Sequence, residues 1–421
     1  MRKAFFINIL ISVGINLLIK PFWILGIDRQ VQNICATQNY GLYYALLGLS
    51  FLFGALLDMG TTSYNGRAIA QNPDFITQNL GFMLPLRLAL ALAYTALTMT
   101  VGWALGYPKP ALIWLFLLGI NQATASLTLY LRSYISGLHL FKTDSIFSVL
   151  DKFLMILLCL PLVYTFSGKQ NLNITLFILV QSIGYAATAL VILYFLWLKS
   201  DKIKFHFSVN KSLEILKKTL PFALMALLMG LYTKIDVVMI ERLLPNGKLH
   251  ASIYAASYRL LDAVNMLAVL VGGILYPMFS RMLHENKNCL PLANFSGLIV
   301  LVAAGAGAVF AYLFSTEIMN MLTPKNNLYT TSVFQVLMFT FVPMALVYVY
   351  GTLLTARANL LYINAIAAVG LVLNVGLNLI FIPKYQALGA AWVSLATQSF
   401  IVLAHFLGVF YLKNQKPTSH D

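Results

Sequence analysis

Long apolar runs alternate with short polar segments along the whole chain. The runs cover residues 4–26, 41–62, 80–106, 111–138, 146–167, 174–198, 220–244, 251–283, 293–316, 330–355, 360–382 and 385–412. A helix needs about 20 mainly apolar residues to cross the hydrocarbon of a bilayer, and each run is long enough. Backbone groups in lipid have to be hydrogen-bonded within the protein, which favours helices. We therefore predict an all-α polytopic membrane protein with twelve transmembrane helices.

The longest polar segment divides the predicted helices into two groups of six. Its sequence is KSDKIKFHFSVNKSLEILKKT, and it follows the sixth apolar run. The predicted organisation is an N-terminal six-helix bundle at 1–198, a cytoplasmic linker at 199–219, and a C-terminal six-helix bundle with a short cytoplasmic tail at 220–421. An even number of spans in each half predicts parallel repeats related by an axis along the membrane normal. The two bundles are therefore expected to be pseudo-symmetric.

Composition supports the membrane assignment and removes other classes. Hydrophobic residues make up 60% of the chain and charged residues only 10%, whereas about a quarter of the residues in a soluble domain are charged. The net charge of +15 lies mostly in loops between apolar runs, so it does not indicate nucleic-acid binding. The three cysteines are scattered and show neither disulfide nor metal-site spacing. No cofactor is expected. The first apolar run is too long for a signal peptide, so we interpret it as an uncleaved span.

The distribution of lysine and arginine predicts how the chain is oriented. With the N-terminus in the cytoplasm, the inner loops and tails hold fifteen of these residues and the outer loops hold six. The inner residues are Arg2, Lys3, Arg67, Lys142, Lys199, Lys202, Lys204, Lys211, Lys217, Lys218, Arg281, Lys287, Arg357, Lys413 and Lys416. The outer residues are Arg29, Lys109, Lys169, Lys248, Lys325 and Lys384. Cytoplasmic loops carry the excess of positive charge, so both termini are predicted to be cytoplasmic.

Ionisable side chains also lie inside the predicted spans, where they are expensive. Each disfavours insertion at a helix centre by about 2.5–3.5 kcal/mol. They are Lys20, Arg87, Arg132, Asp151, Lys152, Lys234, Asp236, Glu241, Arg242, Arg259 and Asp262. Two interpretations are open for each of them: an ion pair that locks the bundle, or a group that binds or carries something. The set as a whole favours a functional interpretation.

Spans 7 and 8 carry the most informative charges. Lys234 and Asp236 lie near the predicted midplane of span 7. In span 8, Arg259 and Asp262 are one turn apart, so we expect them to share a face and to pair. That face of span 8 also carries aromatic and amide groups, at Tyr254, Tyr258 and Asn265.

The first half contributes charged positions in spans 1, 2 and 4. Lys20 directly precedes Pro21, which permits a bend in span 1. Arg132 ends a polar stripe along span 4 that cannot face lipid. Asp58 lies close to the inner end of span 2. If these faces converge between the halves, they form a hydrated cavity with a positive bias, which suits an anionic substrate.

Three stretches resemble one transporter family. LKKTLPFALMALLMGLYTKIDVVMI is similar to the start of the second half of polysaccharide flippases in the multidrug/oligosaccharidyl-lipid/polysaccharide exporter superfamily. LLDMGTTSYNGRAIAQN resembles the exit of their second span. LNVGLNLIFIPKYQALGAAWVSLATQ resembles their junction between spans 11 and 12, although Gln386 stands where the family usually has glycine. Lipid II flippases of the same superfamily carry an Arg-x-x-acid pair on span 8, which RLLD matches. Those proteins usually have fourteen spans, so twelve fit the O-antigen or capsule branch better.

The resemblance implies a function and roles for the intramembrane groups. A flippase of this family moves an undecaprenyl-diphosphate-linked oligosaccharide from the inner to the outer leaflet of the bacterial inner membrane by alternating access, without covalent chemistry. The diphosphate would be bound by Lys20, Lys234 and Arg259, and Arg132 would also contact the substrate. Sugar hydroxyls would be met by Tyr254, Tyr258 and Asn265. Asp236, Asp262 and Asp58 would orient those cations or couple transport to a proton or sodium gradient. Membrane lipid and the lipid-linked glycan are the expected partners, and other polysaccharide-assembly proteins are open as partners.

Two other functions remain as alternatives. A drug/cation antiporter of the same superfamily should favour acids in its cavity, whereas here the deep cations at least equal the acids. A membrane-embedded polysaccharide polymerase or ligase commonly has a large outer loop, whereas the outer loops here are short. The sequence therefore favours lipopolysaccharide, O-antigen or capsule biosynthesis through glycan flipping, and it does not identify the glycan.

Overall fold

A computed structural model gives the fold for most of the chain. It describes residues 14–16, 18–62, 65, 75–138, 140–165, 172–199, 209–323, 327–357 and 359–411. These residues are almost entirely helical, and no strand occurs in them. The prediction of an all-α membrane protein is confirmed.

The chain forms two compact units, Met1–Gly230 and Leu231–Asp421. In the described part of the first unit, a π-helical segment at Phe22–Asp28 precedes seven α-helices. They are α1 (Arg29–Ile34), α2 (Thr37–Leu52), α3 (Ala55–Asp58), α4 (Phe75–Ala104), α5 (Lys109–Gly137), α6 (Phe141–Tyr164) and α7 (Ile174–Lys199). Helix α8 (Val209–Leu243) contains the division between the units.

The second unit begins inside α8, and its described residues contain five further helices. They are α9 (Gly247–His284), α10 (Leu290–Leu313), α11 (Ser315–Leu322), α12 (Leu328–Ala356) and α13 (Leu360–Tyr411). Small side chains allow close packing of α9, α10 and α12, where Ala268, Ala304 and Ala345 form a buried cluster. Small residues are what membrane helices use to bring their backbones together.

Nine helices in the described ranges are long and apolar enough to cross a membrane. One of them, α13, has 52 residues and is two helices joined at a kink, so it covers the last two predicted spans. Only part of predicted span 1 lies within the described residues, and predicted span 2 is broken. The structure is therefore roughly consistent with twelve spans.

Predicted span 2, residues 41–62, is not one continuous helix. Helix α2 ends at Leu52, and α3 ends at Asp58 because Met59 and Gly60 adopt left-handed backbone conformations with φ of 46° and 74°. Glycine favours such a conformation, and a residue beside it can share the turn. The break gives the carboxylate of Asp58 a position at a helix end.

Part of the predicted linker at 199–219 is helical. Residues 209–219 form the start of α8, whereas residues 200–208 lie outside the described ranges. Ile215 is buried against Leu131 and Ile192 in a core cluster of the first unit. Ile215 and the partly buried Leu216 therefore dock one side of this helix against the first unit.

The kink in α13 lies at Gln386, whose φ is 58° and ψ is −136°. A side chain in this region of backbone space carries strain of order 1–3 kcal/mol. Tyr329 braces the same turn, because its hydroxyl donates to the Tyr385 carbonyl at 3.3 Å and accepts from the Leu388 N–H at 3.2 Å. Because glycine would avoid this strain, the conformation gives a physical reason why related flippases are expected to have glycine at this position.

Gln386→Gly is therefore expected to raise the stability of the protein by about 1 kcal/mol, since glycine adopts this conformation without the Cβ clash. The measurement is thermal or denaturant unfolding of the purified protein in detergent. Gln386→Ala removes the same amide but keeps the Cβ, so it should give no such gain. An equal gain in both variants would show that the amide, and not the backbone, is the source of the strain.

Candidate functional site

Asp236 on α8 is the most deeply buried acid among the predicted site residues, at 1% exposure. Four neutral side chains donate hydrogen bonds to its two carboxylate oxygens. They are Tyr254 Oη at 3.0 Å, Asn374 Nδ2 at 3.0 Å, Asn378 Nδ2 at 2.7 Å, and Ser394 Oγ. Buried polar groups need such partners, because an unpaired one loses its hydration without compensation. The groups that contact this carboxylate in the described chain are neutral, so hydrogen bonds alone compensate its charge.

The partners of Asp236 come from α9 and from both parts of α13. The two asparagines are four residues apart, so both lie on one face of α13 before its kink. Ser394 follows the kink, which turns the chain back toward the same carboxylate. The predicted role of Asp236 as a group that orients a cation is not what these contacts show, since its neighbours here carry no charge. Its role in coupling stays a prediction.

Lys234 and Asp262 form an ion pair between α8 and α9. The lysine Nζ lies 3.1 Å and 3.2 Å from the two carboxylate oxygens. It also lies 4.5 Å from the centre of the Tyr258 ring, which is a cation–π distance. The side chains of the pair are 26% and 38% exposed, so both remain open to a ligand. Asp262 thus orients a cation that a substrate could reach.

Tyr254, Tyr258 and Asn265 line the same face of α9, as predicted from their spacing. The two tyrosine rings stack at 5.4 Å. Tyr258 donates to the Thr233 carbonyl at 3.1 Å, and Asn265 donates to the Tyr348 hydroxyl at 3.5 Å. Arg259 is only 3% exposed. In this conformation it is closed off from a ligand, and its binding role stays a prediction.

The first unit contains a second charged cluster, built from Lys20, Arg132 and Lys152. Arg132 holds Asp144 with two hydrogen bonds, at 2.8 Å from Nε and 3.1 Å from Nη2. Lys152 lies 3.4 Å from Asp151. Lys20 interacts electrostatically with Arg132, Asp151 and Lys152. Three cations face two acids in this cluster, which gives it a positive bias.

Asp58, at the end of α3, contacts Arg87 on α4. The guanidinium is 5% exposed and pairs with the Asp58 carboxylate. It also donates to the hydroxyls of Thr61 at 2.7 Å and Thr62 at 2.8 Å. The Tyr130 ring lies 4.2 Å from its central carbon. Asp58 therefore orients a cation that has many other partners, and the arrangement ties the broken second span to α4 and α5.

Comparison with known proteins adds the family. A sequence family described as polysaccharide biosynthesis protein matches residues 7–283. The chain belongs to this family. Comparison with curated proteins by sequence gives no match.

Solved structures show which fold this family member has. An inward-facing MATE multidrug resistance transporter of the MOP superfamily aligns with a TM-score of 0.71 and 16% identity, over 96% of this chain and 99% of that chain. The lipid II flippase MurJ in an inward closed conformation aligns with a TM-score of 0.70 and 16% identity, over 96% and 87%. A MOP superfamily transporter from Pyrococcus furiosus, described by the reverse polarity of its binding pocket, aligns with a TM-score of 0.68 and 16% identity, over 96% and 94%. The family member has the fold of MOP superfamily transporters, and the resemblance predicted from its motifs is confirmed.

Four residues that the structure places beside predicted site residues were not themselves predicted as site residues: Lys152, near Lys20, and Asn374, Asn378 and Ser394, around Asp236. Lys152 donates to Tyr185 Oη at 2.8 Å and lies 5.5 Å from the centre of the Trp23 ring. Its position inside a span was visible in the sequence, but nothing in the spacing connected it to span 1 or span 6. Asn374, Asn378 and Ser394 lay in a motif that carried the family resemblance, yet their polarity alone did not connect them to Asp236.

Proposed function

We propose that this membrane protein is a flippase that moves an undecaprenyl-diphosphate-linked oligosaccharide from the inner to the outer leaflet by alternating access. The observation that carries the proposal is the cation-rich cluster of Lys20, Arg132 and Lys152, found in a chain that belongs to a polysaccharide biosynthesis family. Arginine and lysine are the side chains that bind phosphate oxygens most strongly. Placing three of them against two acids leaves positive charge for an anionic head group.

Lys234 supplies the corresponding cation in the second unit. It is partly exposed and oriented by Asp262, so a phosphate oxygen can replace or share the carboxylate contact. Asn265, which is partly exposed, offers an amide to sugar groups. The proposed substrate is an O-antigen, capsule or other surface polysaccharide unit, and the proposed location is the bacterial inner membrane with both termini cytoplasmic. The protein would act without covalent chemistry, alongside other polysaccharide-assembly proteins.

An ion gradient is proposed to reset the transporter through Asp236 or Asp262. The buried Asp236 carboxylate has only neutral hydrogen-bond partners in the described chain, so binding a proton or a sodium ion there would neutralise it. The same carboxylate is the observation that favours the alternative, a drug/cation antiporter. An antiporter would use it to bind a cationic substrate, and MATE transporters share the fold.

The test is flipping by the purified protein in vesicles that contain a short polyprenyl-diphosphate oligosaccharide. The arrival of the glycan on the opposite leaflet is followed with a glycosidase added to that side. A diphosphate diester carries about two negative charges, and each is worth about 2.3 kcal/mol per 100 mV. We therefore expect flipping to slow when potassium and valinomycin hold the potential near zero, and to depend on a proton or sodium gradient if an aspartate carries the ion.

Controls separate the proposal from its alternative. Lys20→Ala should slow flipping, whereas Lys109→Ala, which removes an exposed lysine of the same unit, should not. Exchange of a cationic dye for protons or sodium, with no movement of the glycan, would establish the antiporter instead. Flipping that responds to neither the potential nor an ion gradient would exclude both driving schemes and leave passive scrambling.

A further inference from the structure

An apolar groove of about 610 Å³ lies on the second unit, between α10, α12 and the part of α13 that follows the kink. Its lining residues include Asn294, Leu298, Leu301, Ser399, Leu403 and Phe406. The three leucines are 59%, 45% and 57% exposed. Ligand sites typically have volumes of about 300–1,000 Å³. Since these helices are membrane spans, the groove opens to hydrocarbon and fits an alkyl chain.

The floor of the groove is built by a specific packing contact. A Cβ atom at Gly297 would come within 2.5 Å of the Tyr350 hydroxyl, so only glycine lets this tyrosine lie against α10. The Tyr350 ring stands edge-on to Phe406 at 5.1 Å. Through these contacts Tyr350 of α12 packs against both α10 and α13, the two other helices that line the groove.

Three helix ends meet next to the groove, at the edge predicted to be cytoplasmic. Arg357 directly follows α12, and its Nη1 donates to the Val409 carbonyl near the end of α13 at 2.9 Å. Its charge also opposes the rise that burial causes in the pKa of the nearby Cys289 thiol, which directly precedes α10. Asn294 of the groove lies one turn inside the start of α10. The Arg357 side chain and the positive N-terminus of α10 thus lie beside this end of the groove.

Arg357 is 9% exposed, and no carboxylate in the described part of the chain pairs with it. Burial lowers its pKa, but a guanidinium keeps its proton in proteins. The nearest acid in sequence, Glu285, is already held by Arg281 at 2.8 Å and Lys287 at 2.6 Å. Hydrogen bonds from Lys287 and Arg281 lower the pKa of Glu285 to about 2. A buried cation that has no counter-ion among the described residues favours binding of an anion from elsewhere.

We propose that the second unit binds an anionic phospholipid here, with its phosphate at Arg357 and one acyl chain in the groove. Arginine binds phosphate oxygens through charge-assisted hydrogen bonds. The cytoplasmic leaflet is where anionic lipids are enriched, and basic clusters beside spans bind them. The site depends on the fold of the second unit and is independent of which substrate the transporter moves.

The test is a titration of the detergent-solubilised full chain with phosphatidylglycerol or phosphatidylcholine, followed by native mass spectrometry. Each basic residue near an anionic membrane contributes about 1 kcal/mol, which corresponds to about fivefold in affinity. We expect the protein to prefer phosphatidylglycerol, and Arg357→Gln to weaken that binding at least fivefold. Arg281→Gln removes a cation of the same edge that already has a carboxylate partner, and it should have a smaller effect.

A second variant tests the groove with Arg357 intact. Leu298→Trp fills the groove and should weaken phosphatidylglycerol binding, whereas Val309→Trp, on the same helix but outside the groove, should not. The proposal is overturned if Arg281→Gln and Arg357→Gln weaken binding equally, since that would be general surface attraction. It is also overturned if Leu298→Trp has no effect, or if soluble glycerol phosphate binds as tightly as the lipid.

Discussion

Replacement of Asp58 by alanine is expected to lower the free energy of unfolding by about 3 kcal/mol, whereas the same replacement at Asp262 should change it by less than about 1 kcal/mol. The two aspartates each pair with a cation, but the cations differ in burial. The Arg87 side chain is 4% exposed, and the Lys234 side chain is 26% exposed. Losing Asp58 leaves a buried guanidinium without its counter-ion. Losing Asp262 leaves an ammonium group that water can reach.

The value for Asp58 is set at the lower end of the range for buried pairs for two reasons. The Asp58 side chain is itself 36% exposed, so part of its charge is hydrated in the folded protein. Arg87 also keeps its bonds to Thr61, Thr62 and the Ser126 carbonyl, the last at 3.2 Å. Arg87→Met in the same background should recover part of the loss, because it removes the buried charge as well.

Unfolding of each purified variant in detergent, monitored by circular dichroism against denaturant, measures these differences. Equal destabilisation by Asp58→Ala and Asp262→Ala would mean that burial of the cation does not decide the cost. The variant that combines Asp58→Ala with Arg87→Met should be more stable than Asp58→Ala alone. If it is not, the main contribution of Asp58 to stability is its contact with the Thr62 N–H, at 3.1 Å.

Most of the fold could be predicted because lipid imposes a simple rule on the chain. A span has to be long, apolar and helical, so hydropathy alone located the long helices from α4 to α13, but it did not predict the eight-residue α11. The break in the second span could not be found this way. Residues 41–62 form one mainly apolar run, and the break depends on the left-handed conformations of Met59 and Gly60. Hydropathy carries no information about backbone conformation.

The site was predicted in part. Neighbours on one helix were grouped correctly, whereas contacts between residues far apart in the sequence were not predicted. Helical spacing correctly grouped Tyr254, Tyr258 and Asp262 on one face of α9, because neighbours on a helix are three or four residues apart. The same reasoning paired Asp262 with Arg259, and that pair stays a prediction. The structure places Lys234, 28 residues away, against the Asp262 carboxylate. Asp236 meets Asn378 across 142 residues. Contacts between helices depend on packing and rotation, which no local pattern specifies.

Lys234→Ala is expected to reduce glycan flipping at least about tenfold while leaving the protein folded and inserted. A hydrogen bond to a charged group is worth about 1.5–3 kcal/mol, and tenfold corresponds to about 1.4 kcal/mol. The lysine is partly exposed, so its pair with Asp262 contributes little to stability. Loss of flipping would then report on a missing contact with the anionic substrate and not on unfolding.

The vesicle assay, run beside the unfolding measurement, separates these two effects for Lys234. Lys234→Arg keeps the positive charge and should retain part of the activity, and Lys248→Ala, which removes an exposed lysine of the same unit, should retain all of it. The decisive variant combines Lys234→Ala with Asp262→Ala. If the lysine binds phosphate, the double variant stays inactive, because the positive charge is still missing. If flipping returns, the unpaired Asp262 carboxylate was the obstacle, and Lys234 serves only to neutralise it.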